Sequence, residues 1–208
     1  MEWADGETVT AIVYRLGSPT MLLAHGAGTN QDHPLVAGTA ERLAADGLGV
    51  VTFNYPYTEA GRKAPDRAAK LLACHDAVAR AVGSWSPEGV VLAGRSMGGR
   101  MATMLAAEGT DAVGVVCLAY PLHPAGKPDR LRIEHLDRIA VPMLFFQGSR
   151  DALSRADLFD AHVRSLPAAT VIDMEGADHS FRGRGWTPER VTGVVAEEYA
   201  RWLASLAG

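Results

Sequence analysis

Apolar residues along the chain follow two patterns that alternate from one end to the other. Short continuous apolar runs, rich in β-branched residues, predict strands covered on both faces, whereas apolar residues repeating about every three or four positions predict amphipathic helices. Glycine, proline and polar residues separate the two kinds of segment. Strands are predicted over residues 8–14, 20–24, 50–53, 90–93, 111–119, 142–147 and 170–174.

The predicted helices begin and end at typical signals. Pro34 suits a first helical position and Gly47 ends that helix, while Thr187 and Pro188 open the last one. Helices are predicted over residues 34–47, 71–83, 97–105, 131–139, 158–163 and 188–206. Because strands and helices alternate without a linker or repeat, we predict a single α/β domain over residues 1–208, with a doubly wound, mostly parallel sheet and helices on both faces.

Composition and charge exclude several classes of partner. Hydrophobic residues make up 48% of the 208 positions and charged residues 21%, as in globular proteins that bury a core. The formal net charge is −4, and no basic run is longer than Arg62 and Lys63, which argues against a nucleic-acid or anionic-membrane partner. No apolar run approaches the roughly 20 residues that cross a bilayer, so no membrane partner is expected.

The cellular compartment is predicted from the first residues and from cysteine usage. Residues 1–5 lack the basic and apolar regions of a signal peptide. The two cysteines, Cys74 and Cys117, fall within a predicted helix and a predicted strand. We therefore expect a cytoplasmic protein with reduced thiols, and the sequence indicates no particular oligomeric state.

The segment after the predicted strand 90–93 places a serine among glycines. Gly94 and Gly98 flank Ser96 where a Cβ would collide with the neighbouring strand or helix. This Gly-x-Ser-x-Gly pattern between a strand and a helix predicts a nucleophile elbow, which holds the serine hydroxyl clear of the sheet edge. Since a helix begins here, the N–H of Met97 is predicted to be an unpaired donor that forms half of an oxyanion hole.

A phosphate-binding loop is the rival interpretation of the same glycines. Gly94 and Gly99 have the glycine interval of that motif. However, Arg100 and Met101 stand where the motif needs Lys and Ser or Thr, so nothing there would hold Mg²⁺. The elbow interpretation is therefore favoured.

Four predicted strand ends carry residues that could take part in chemistry. They are the loop 25–28, Ser96, Asp151 and His179. In a doubly wound sheet, ligands bind beyond the carboxyl ends of the strands, so these residues are expected to meet there. The order serine, aspartate, histidine along the chain is the order of the α/β-hydrolase arrangement and differs from that of other serine hydrolase folds.

Four short segments resemble a known family over about residues 21–202. The chain looks like a small α/β-hydrolase of the dienelactone-hydrolase-like group. The matching segments are residues 25–28, 94–99, 148–151 and 176–181. They are specific for the superfamily and carry no information about a substrate. Dienelactone hydrolases themselves use a cysteine nucleophile where this chain has Ser96, so their substrate is not carried over.

The chemistry assigns a role to each residue. Ser96 is predicted to attack an acyl carbon, with His179 as the base that accepts its proton and Asp151 as the acid that orients the imidazole. The second oxyanion donor is expected to be the N–H of Ala27, with Gly28 as the alternative. No cofactor is needed for this reaction.

Other interpretations of the acid and of His25 are simpler. Asp151 would also suit a cap of the following helix, although its position after a buried strand favours the catalytic role. Asp173 and Asp178 are weaker candidates for the acid, because Asp178 adjoins His179 and points elsewhere in most turns. His25 is interpreted as a structural group that braces the oxyanion loop.

A metal site is not predicted. His25, His33 and His179 could be imagined as ligands, but neither an H-E-x-x-H motif nor paired cysteines occur.

The spacing around the site leaves no room for a lid. The predicted strand before the segment 120–141 ends near Ala119, and the proline-stiffened segment itself has room for one short helix only. The mouth is therefore expected to be lined by the loops 28–33, 55–63 and 120–127. This places Gly28, Tyr55 and Tyr120 beside the substrate, and Arg95 would offer positive charge to an anionic group.

Two functions from different classes remain open. The first is a serine hydrolase that cleaves small soluble carboxyl esters or thioesters through an acyl-enzyme on Ser96. The second is a catalytically idle or non-enzymatic binding protein on the same fold, because a fold does not determine a function. The presence of all three catalytic residue types favours the enzyme.

Overall fold

The computed structural model describes residues 1–4 and 6–206, with a seven-stranded sheet at its centre. The strands are β1 (Glu2–Ala4), β2 (Glu7–Thr8), β3 (Ala11–Arg15), β4 (Thr20–Ala24), β5 (Gly49–Phe53), β6 (Val90–Arg95), β7 (Gly114–Leu118), β8 (Met143–Gly148) and β9 (Ala169–Met174). The helices are α1 (Pro34–Ala45), α2 (Pro56–Glu59), α3 (Ala68–Gly83), α4 (Met97–Ala107), α5 (Ala156–Phe159) and α6 (Pro188–Leu206).

The central sheet has the strand order β3-β5-β4-β6-β7-β8-β9, and β1 pairs with β2 outside it. Within the central sheet β3 is antiparallel to β5, and every other pair is parallel. The predicted α/β fold with a mostly parallel sheet is thus confirmed.

Strand order places one crevice at the centre of the sheet. The chain passes from β4 through α1 to β5, and then through α3 to β6 on the other side of β4. Because Ala24 pairs with Gly94 at the ends of β4 and β6, the loops that follow these two strands begin side by side. Such a reversal of strand order is where ligands bind in open α/β sheets.

Helices cover both faces of the sheet, and each face has its own apolar core. Helices α1 and α6 pack together on one face, with Leu43, Val195 and Trp202 buried there. Helices α3, α4 and α5 contribute Val78, Met101 and Phe159 to the core on the other face. Strands β4 to β8 are buried along their whole length, as expected for strands covered on both sides.

Two predicted elements differ from the structure because tertiary hydrogen bonds compete for their backbone. The strand predicted over residues 8–14 is divided, since Val9 exchanges backbone hydrogen bonds with Met1 between β2 and β3. The helix predicted over residues 131–139 is only a 3₁₀ turn at Leu136–Arg138. The N–H of Arg132 donates to Leu122 and its carbonyl accepts from the Tyr120 hydroxyl, so this residue is held outside any helix.

Two further differences are local. Helix α2 lies inside the segment predicted as loop, with Pro56 at its first position, where a proline loses no hydrogen bond. Helix α5 continues as a π-helix over Asp160–Arg164. None of the helices in the described part of the chain combines the length and the apolar character needed to cross a membrane.

The segment 119–142 between β7 and β8 carries no inserted domain. Its regular structure is the 3₁₀ turn at Leu136–Arg138. The carboxyl end of the sheet is therefore covered by loops at this position.

Candidate active site

The turn between β6 and α4 holds Ser96 in a strained backbone conformation. Ser96 has φ 49° and ψ −112°, a positive-φ backbone conformation that residues other than glycine rarely adopt. Its N–H donates to the carbonyl of Leu118 at 2.9 Å, which attaches the turn to β7. A Cβ on Gly98 would lie 2.6 Å from the carbonyl oxygen of Ala24, so the close approach to β4 requires glycine there.

Ser96, His179 and Asp151 form one continuous chain of hydrogen bonds. The Ser96 Oγ lies 2.8 Å from His179 Nε2, and His179 Nδ1 lies 2.7 Å from Asp151 Oδ2. Because an ionised carboxylate only accepts, Nδ1 carries the proton toward Asp151 and Nε2 is free to accept the serine proton. The three residues are thus in the geometry that activates a serine hydroxyl.

The carboxylate of Asp151 is shielded from water and surrounded by N–H donors. Its side chain is fully buried, whereas that of His179 is 21% exposed. Besides His179, the Gln147 amide donates to Oδ2 at 2.9 Å, and the Leu153 backbone N–H donates to Oδ1 at 2.7 Å. These bonds fix the carboxylate in the plane where it meets the imidazole.

The loop after β4 is fixed through the carbonyl of Gly26. This oxygen accepts from the Thr29 hydroxyl at 2.9 Å, from the Tyr57 hydroxyl at 3.3 Å and from His25 Nδ1 at 2.9 Å. In a trans peptide the C=O and the following N–H point in opposite directions, and the peptide at Ala27 is trans. The N–H of Ala27 therefore points away from the side chains that bind the Gly26 carbonyl.

His25 is a buried structural group. Its Nε2 accepts from the N–H of Tyr55 at 3.1 Å, which places the proton on Nδ1 and leaves the ring neutral. Burial lowers the pKa of His25 to about 4, the main cause being loss of solvation. His25 therefore braces the Gly26 loop, in agreement with its interpretation from sequence.

Two backbone N–H groups in the turns beside Ser96 have no backbone acceptor among the described residues. Met97 is the first residue of α4, where N–H groups have no partner within the helix, and the N–H of Ala27 has no backbone acceptor among the residues the structure describes. Gly28, the predicted alternative, is exposed with φ 69°. Burial raises the pKa of Tyr57, the main cause being loss of solvation.

Two of the four predicted substrate-binding residues are contradicted by their burial. The side chain of Tyr55 is fully buried, and its hydroxyl lies 3.1 Å from His75 Nδ1. The side chain of Tyr120 is also fully buried and donates to the carbonyl of Arg132 at 2.7 Å. Both residues follow strand ends as predicted, but their rings point into the apolar core, where burying an aromatic ring is favourable.

The other two predicted substrate-binding residues lie beside the site. Gly28 is in the exposed loop after β4. Arg95 is 7% exposed, and its Nη2 donates to the Ser180 hydroxyl at 3.4 Å. Burial lowers the pKa of Arg95, and the charge of Asp151 acts in the opposite direction. A substrate-binding role for either residue stays a prediction.

The rival acids are engaged elsewhere. Asp173 is an exposed residue of β9 that pairs with Arg164 at 2.6 Å. Asp178 accepts the backbone N–H groups of Ser180 and Arg182, so it shapes the turn that carries His179. Within the described residues, no cluster of three or more His, Cys, Asp or Glu side chains is arranged to hold a metal ion.

Sequence reasoning missed Gln147 and Tyr57. Both are buried polar side chains that contact a functional group, the Asp151 carboxylate and the Gly26 carbonyl respectively. The one available signal was a polar residue inside an otherwise apolar strand, which applies to Gln147 in β8.

Comparison with known proteins agrees with this architecture. A family model described as "Alpha/beta hydrolase domain" matches residues 17–204. A structure described as an alpha-beta serine hydrolase homologue from Coxiella burnetii is 21% identical, with a TM-score of 0.72, and the match covers 91% of this chain and 90% of that one.

Two further structures match over most of their length. Est1E from Butyrivibrio proteoclasticus is 16% identical with a TM-score of 0.76, and 97% of each chain is covered. XC6422 from Xanthomonas campestris, described as a serine hydrolase without a lid, is 20% identical with a TM-score of 0.69, covering 93% of this chain and 88% of that one. At these identities the likeness concerns the fold.

The family model spans nearly the whole chain, from the strand before the Gly26 loop to the last helix. It does not distinguish the dienelactone-hydrolase-like group, so that closer resemblance stays a prediction. The chain belongs to the α/β-hydrolase domain family.

Proposed function

We propose that the protein is a serine hydrolase that cleaves small soluble carboxyl esters or thioesters through an acyl-enzyme on Ser96. The observation that carries this proposal is the continuous hydrogen-bond chain from Ser96 through His179 to Asp151, at 2.8 and 2.7 Å. A buried carboxylate, an oriented imidazole and a serine at the start of a helix together provide a nucleophile, a base and a stabilised intermediate.

The first half of the reaction transfers the acyl group to the enzyme. The Ser96 Oγ forms a bond to the acyl carbon while its proton moves to His179 Nε2, and the carbonyl π electrons move onto oxygen. The tetrahedral intermediate then collapses, its C–O or C–S bond breaks, and His179 gives the proton to the leaving alcohol or thiol. Asp151 stays ionised and stabilises the imidazolium in both steps.

The second half regenerates the enzyme with water. His179 takes a proton from a water molecule as that water attacks the acyl carbon of the Ser96 ester. The intermediate breaks the bond to Oγ, which recovers the proton, and the acid product leaves. No redox step or cofactor enters this scheme.

The charge on the tetrahedral oxygen needs donors that are in place before the reaction. The N–H groups of Met97 and Ala27 would supply them, the first at the positive end of α4 and the second held outward by the bonds to the Gly26 carbonyl. Loss of one such donor costs roughly 3 to 4 kcal/mol of barrier in other hydrolases. Rigid support of the Gly26 loop therefore contributes to the rate in addition to the base.

Substrate size is the finer part of the proposal. The segment 119–142 offers no inserted domain that would cover a long acyl chain, and exposed loop residues border the crevice at Ala27 and Gly28. Because each buried methylene contributes about 0.8 kcal/mol, preference for a long chain requires a long covered groove. We expect short acyl groups, delivered as monomers and without activation at micelles.

Labelling with a fluorophosphonate tests the nucleophile directly. Wild type is expected to take up one equivalent, and the Ser96→Ala variant none. Ser180→Ala is the matched control, because its hydroxyl lies beside the site and contacts Arg95, yet it should be labelled like wild type. Label that persists in Ser96→Ala would contradict the proposal. A folded wild type that neither reacts nor hydrolyses activated esters would favour the binding-protein alternative.

A further inference from the structure

Gln147 is a buried amide at the end of an apolar strand. Strand β8 is otherwise Met, Leu, Phe, Phe and Gly, and all six positions are buried. An amide transferred into such surroundings is unfavourable unless it forms hydrogen bonds. Gln147 is 5% exposed, and its Nε2 donates to Asp151 Oδ2 at 2.9 Å.

Only one orientation of this amide is compatible with its neighbour. The ionised Asp151 carboxylate accepts hydrogen bonds and donates none, so the NH₂ end of the amide must face it. The opposite atom, Oε1, is then buried without a hydrogen-bond partner among the described residues. A methionine of similar volume would fill the space without leaving an acceptor unpaired. The amide is therefore not explained by packing.

The contact that the amide does form is with the atom that orients the base. Asp151 Oδ2 accepts from both Gln147 Nε2 and His179 Nδ1, while Oδ1 accepts from the N–H of Leu153. The carboxylate is fully buried, so no solvent replaces a missing donor easily. Because Gln147 binds Oδ2 and Leu153 binds Oδ1, both oxygens are held and the carboxylate is restricted to the orientation that meets the imidazole.

We propose that Gln147 is a positioning residue of the hydrolysis, which holds the Asp151 carboxylate in line with His179 and stabilises its negative charge through the donated hydrogen bond. This inference rests on the proposed function, because it concerns how the acid supports the base. Hydrogen bonds to a charged carboxylate are stronger than neutral ones, and they act on its orientation as well as on its charge. Gln147 touches neither substrate nor the reacting atoms.

The test compares three side chains of nearly equal volume at position 147. Gln147→Met removes the donor and keeps the packing. Gln147→Glu introduces a second carboxyl group beside a buried carboxylate, where the two cannot both be ionised without strong repulsion. Thr103→Val is the matched control, because it removes a buried hydroxyl that bonds His135 and the Arg100 carbonyl without touching Asp151.

Turnover on an activated ester is measured per active site, and the number of reactive Ser96 groups is found by titrating a separate sample of the same preparation with a fluorophosphonate. In Gln147→Met we expect kcat per titrated site to fall about tenfold, equal to about 1.4 kcal/mol, with KM little changed and the melting temperature not lowered. Gln147→Glu should lose less than Gln147→Met while its carboxyl is protonated and donates to Asp151 Oδ2, and Thr103→Val should lose stability but keep its kcat per site. The low-field proton NMR signal of the His179–Asp151 bond should move in both variants at position 147 and stay in place in Thr103→Val.

The outcomes separate this inference from the proposed function. If folded Gln147→Met keeps the wild-type kcat per site, the positioning role is wrong while the serine mechanism stands. The role is also wrong if activity falls only in proportion to the number of titratable sites. If wild type itself has no reactive serine and no turnover, the proposed function fails first.

Discussion

The hydroxyl of Tyr57 donates to the carbonyl of Gly26, in the peptide whose N–H, that of Ala27, points in the opposite direction. A side chain outside the hydrogen-bonded trio thus helps to fix the direction of a peptide that the proposed reaction needs. Because the Gly26 carbonyl and the Ala27 N–H belong to one planar unit, any rotation that frees the first misdirects the second.

Removal of the Tyr57 hydroxyl should therefore lower the rate without abolishing it. In Tyr57→Phe, the Thr29 and His25 bonds to the carbonyl remain, so we expect kcat to fall about fivefold, corresponding to one hydrogen bond of about 1 kcal/mol. Steady-state kinetics on a short activated ester measure this. Tyr199→Phe is the control, since its buried hydroxyl has no partner among the described residues. Equal effects of the two substitutions would contradict the argument.

Replacement of the acid should remove activity and leave the fold. Asp151→Asn keeps the shape of the side chain, but the amide stabilises the wrong tautomer of His179 and cannot balance an imidazolium, so kcat should fall about 10³- to 10⁴-fold. Circular dichroism and ester hydrolysis check the two parts. Asp173→Asn, which removes an exposed ion pair with Arg164, should change little. A larger loss in Asp173→Asn would mean that the wrong acid was chosen.

Two glycine substitutions should have opposite effects on stability. In Gly98→Ala the new Cβ would meet backbone oxygens of Ala24 and His25 at 2.6 and 2.7 Å, so we expect the free energy of unfolding to fall by about 3 kcal/mol or more. In Gly193→Ala, inside α6, the nearest atom is the flexible end of Arg42 at 3.5 Å. Helix propensity should then stabilise the protein by up to about 1 kcal/mol. Urea unfolding of both variants measures the difference.

Buried neutral histidines predict loss of stability in weak acid. Burial lowers the pKa of His25 to about 4 and that of His75 to about 3, from an ordinary 6.5. As pH falls from about 6.5 toward 4, the unfolded chain binds protons that the folded chain does not, so the free energy of unfolding decreases. Each such histidine contributes about 1.4 kcal/mol per pH unit within that window.

The contribution of one histidine can be isolated from the slope. His75→Leu removes one of these groups. The free energy of unfolding of the variant should therefore change less steeply with pH between 6 and 4.5, by the slope that corresponds to uptake of about one proton on unfolding. Urea unfolding at several pH values gives both slopes. Loss of the Tyr55 contact shifts the whole curve but not its slope. Parallel curves for the variant and wild type would contradict the prediction.

The elbow could be predicted from sequence because its requirements are local. Gly94, Ser96 and Gly98 must be small or strained where a strand turns directly into a helix, and these constraints lie within a few residues. The doubly wound sheet followed from the same kind of information, since continuous apolar runs and helical periodicity alternate along the chain.

The direction of individual side chains could not be predicted. Tyr55 and Tyr120 stand at strand ends that border the crevice, and whether a ring there points outward or into the core depends on the space between sheet and helices. The partners of Gln147 and Tyr57 are set by the same three-dimensional packing. Such contacts cannot be predicted from local sequence, because the residues involved are brought together only by the fold.

The exposed turns at residues 125–129 can change in length without moving Ser96, Asp151 or His179. Their backbone hydrogen bonds are formed within the turn, from Lys127 to Pro124 and from Arg130 to Lys127, whereas the neighbouring His123 is attached to the segment behind Asp151. Extra residues placed after Gly126 would therefore lengthen a loop that is predicted to line the mouth of the site, without pulling on the three strand ends. A longer loop here would change which molecules reach the site, while the hydrogen bonds among Ser96, His179 and Asp151 would stay unchanged.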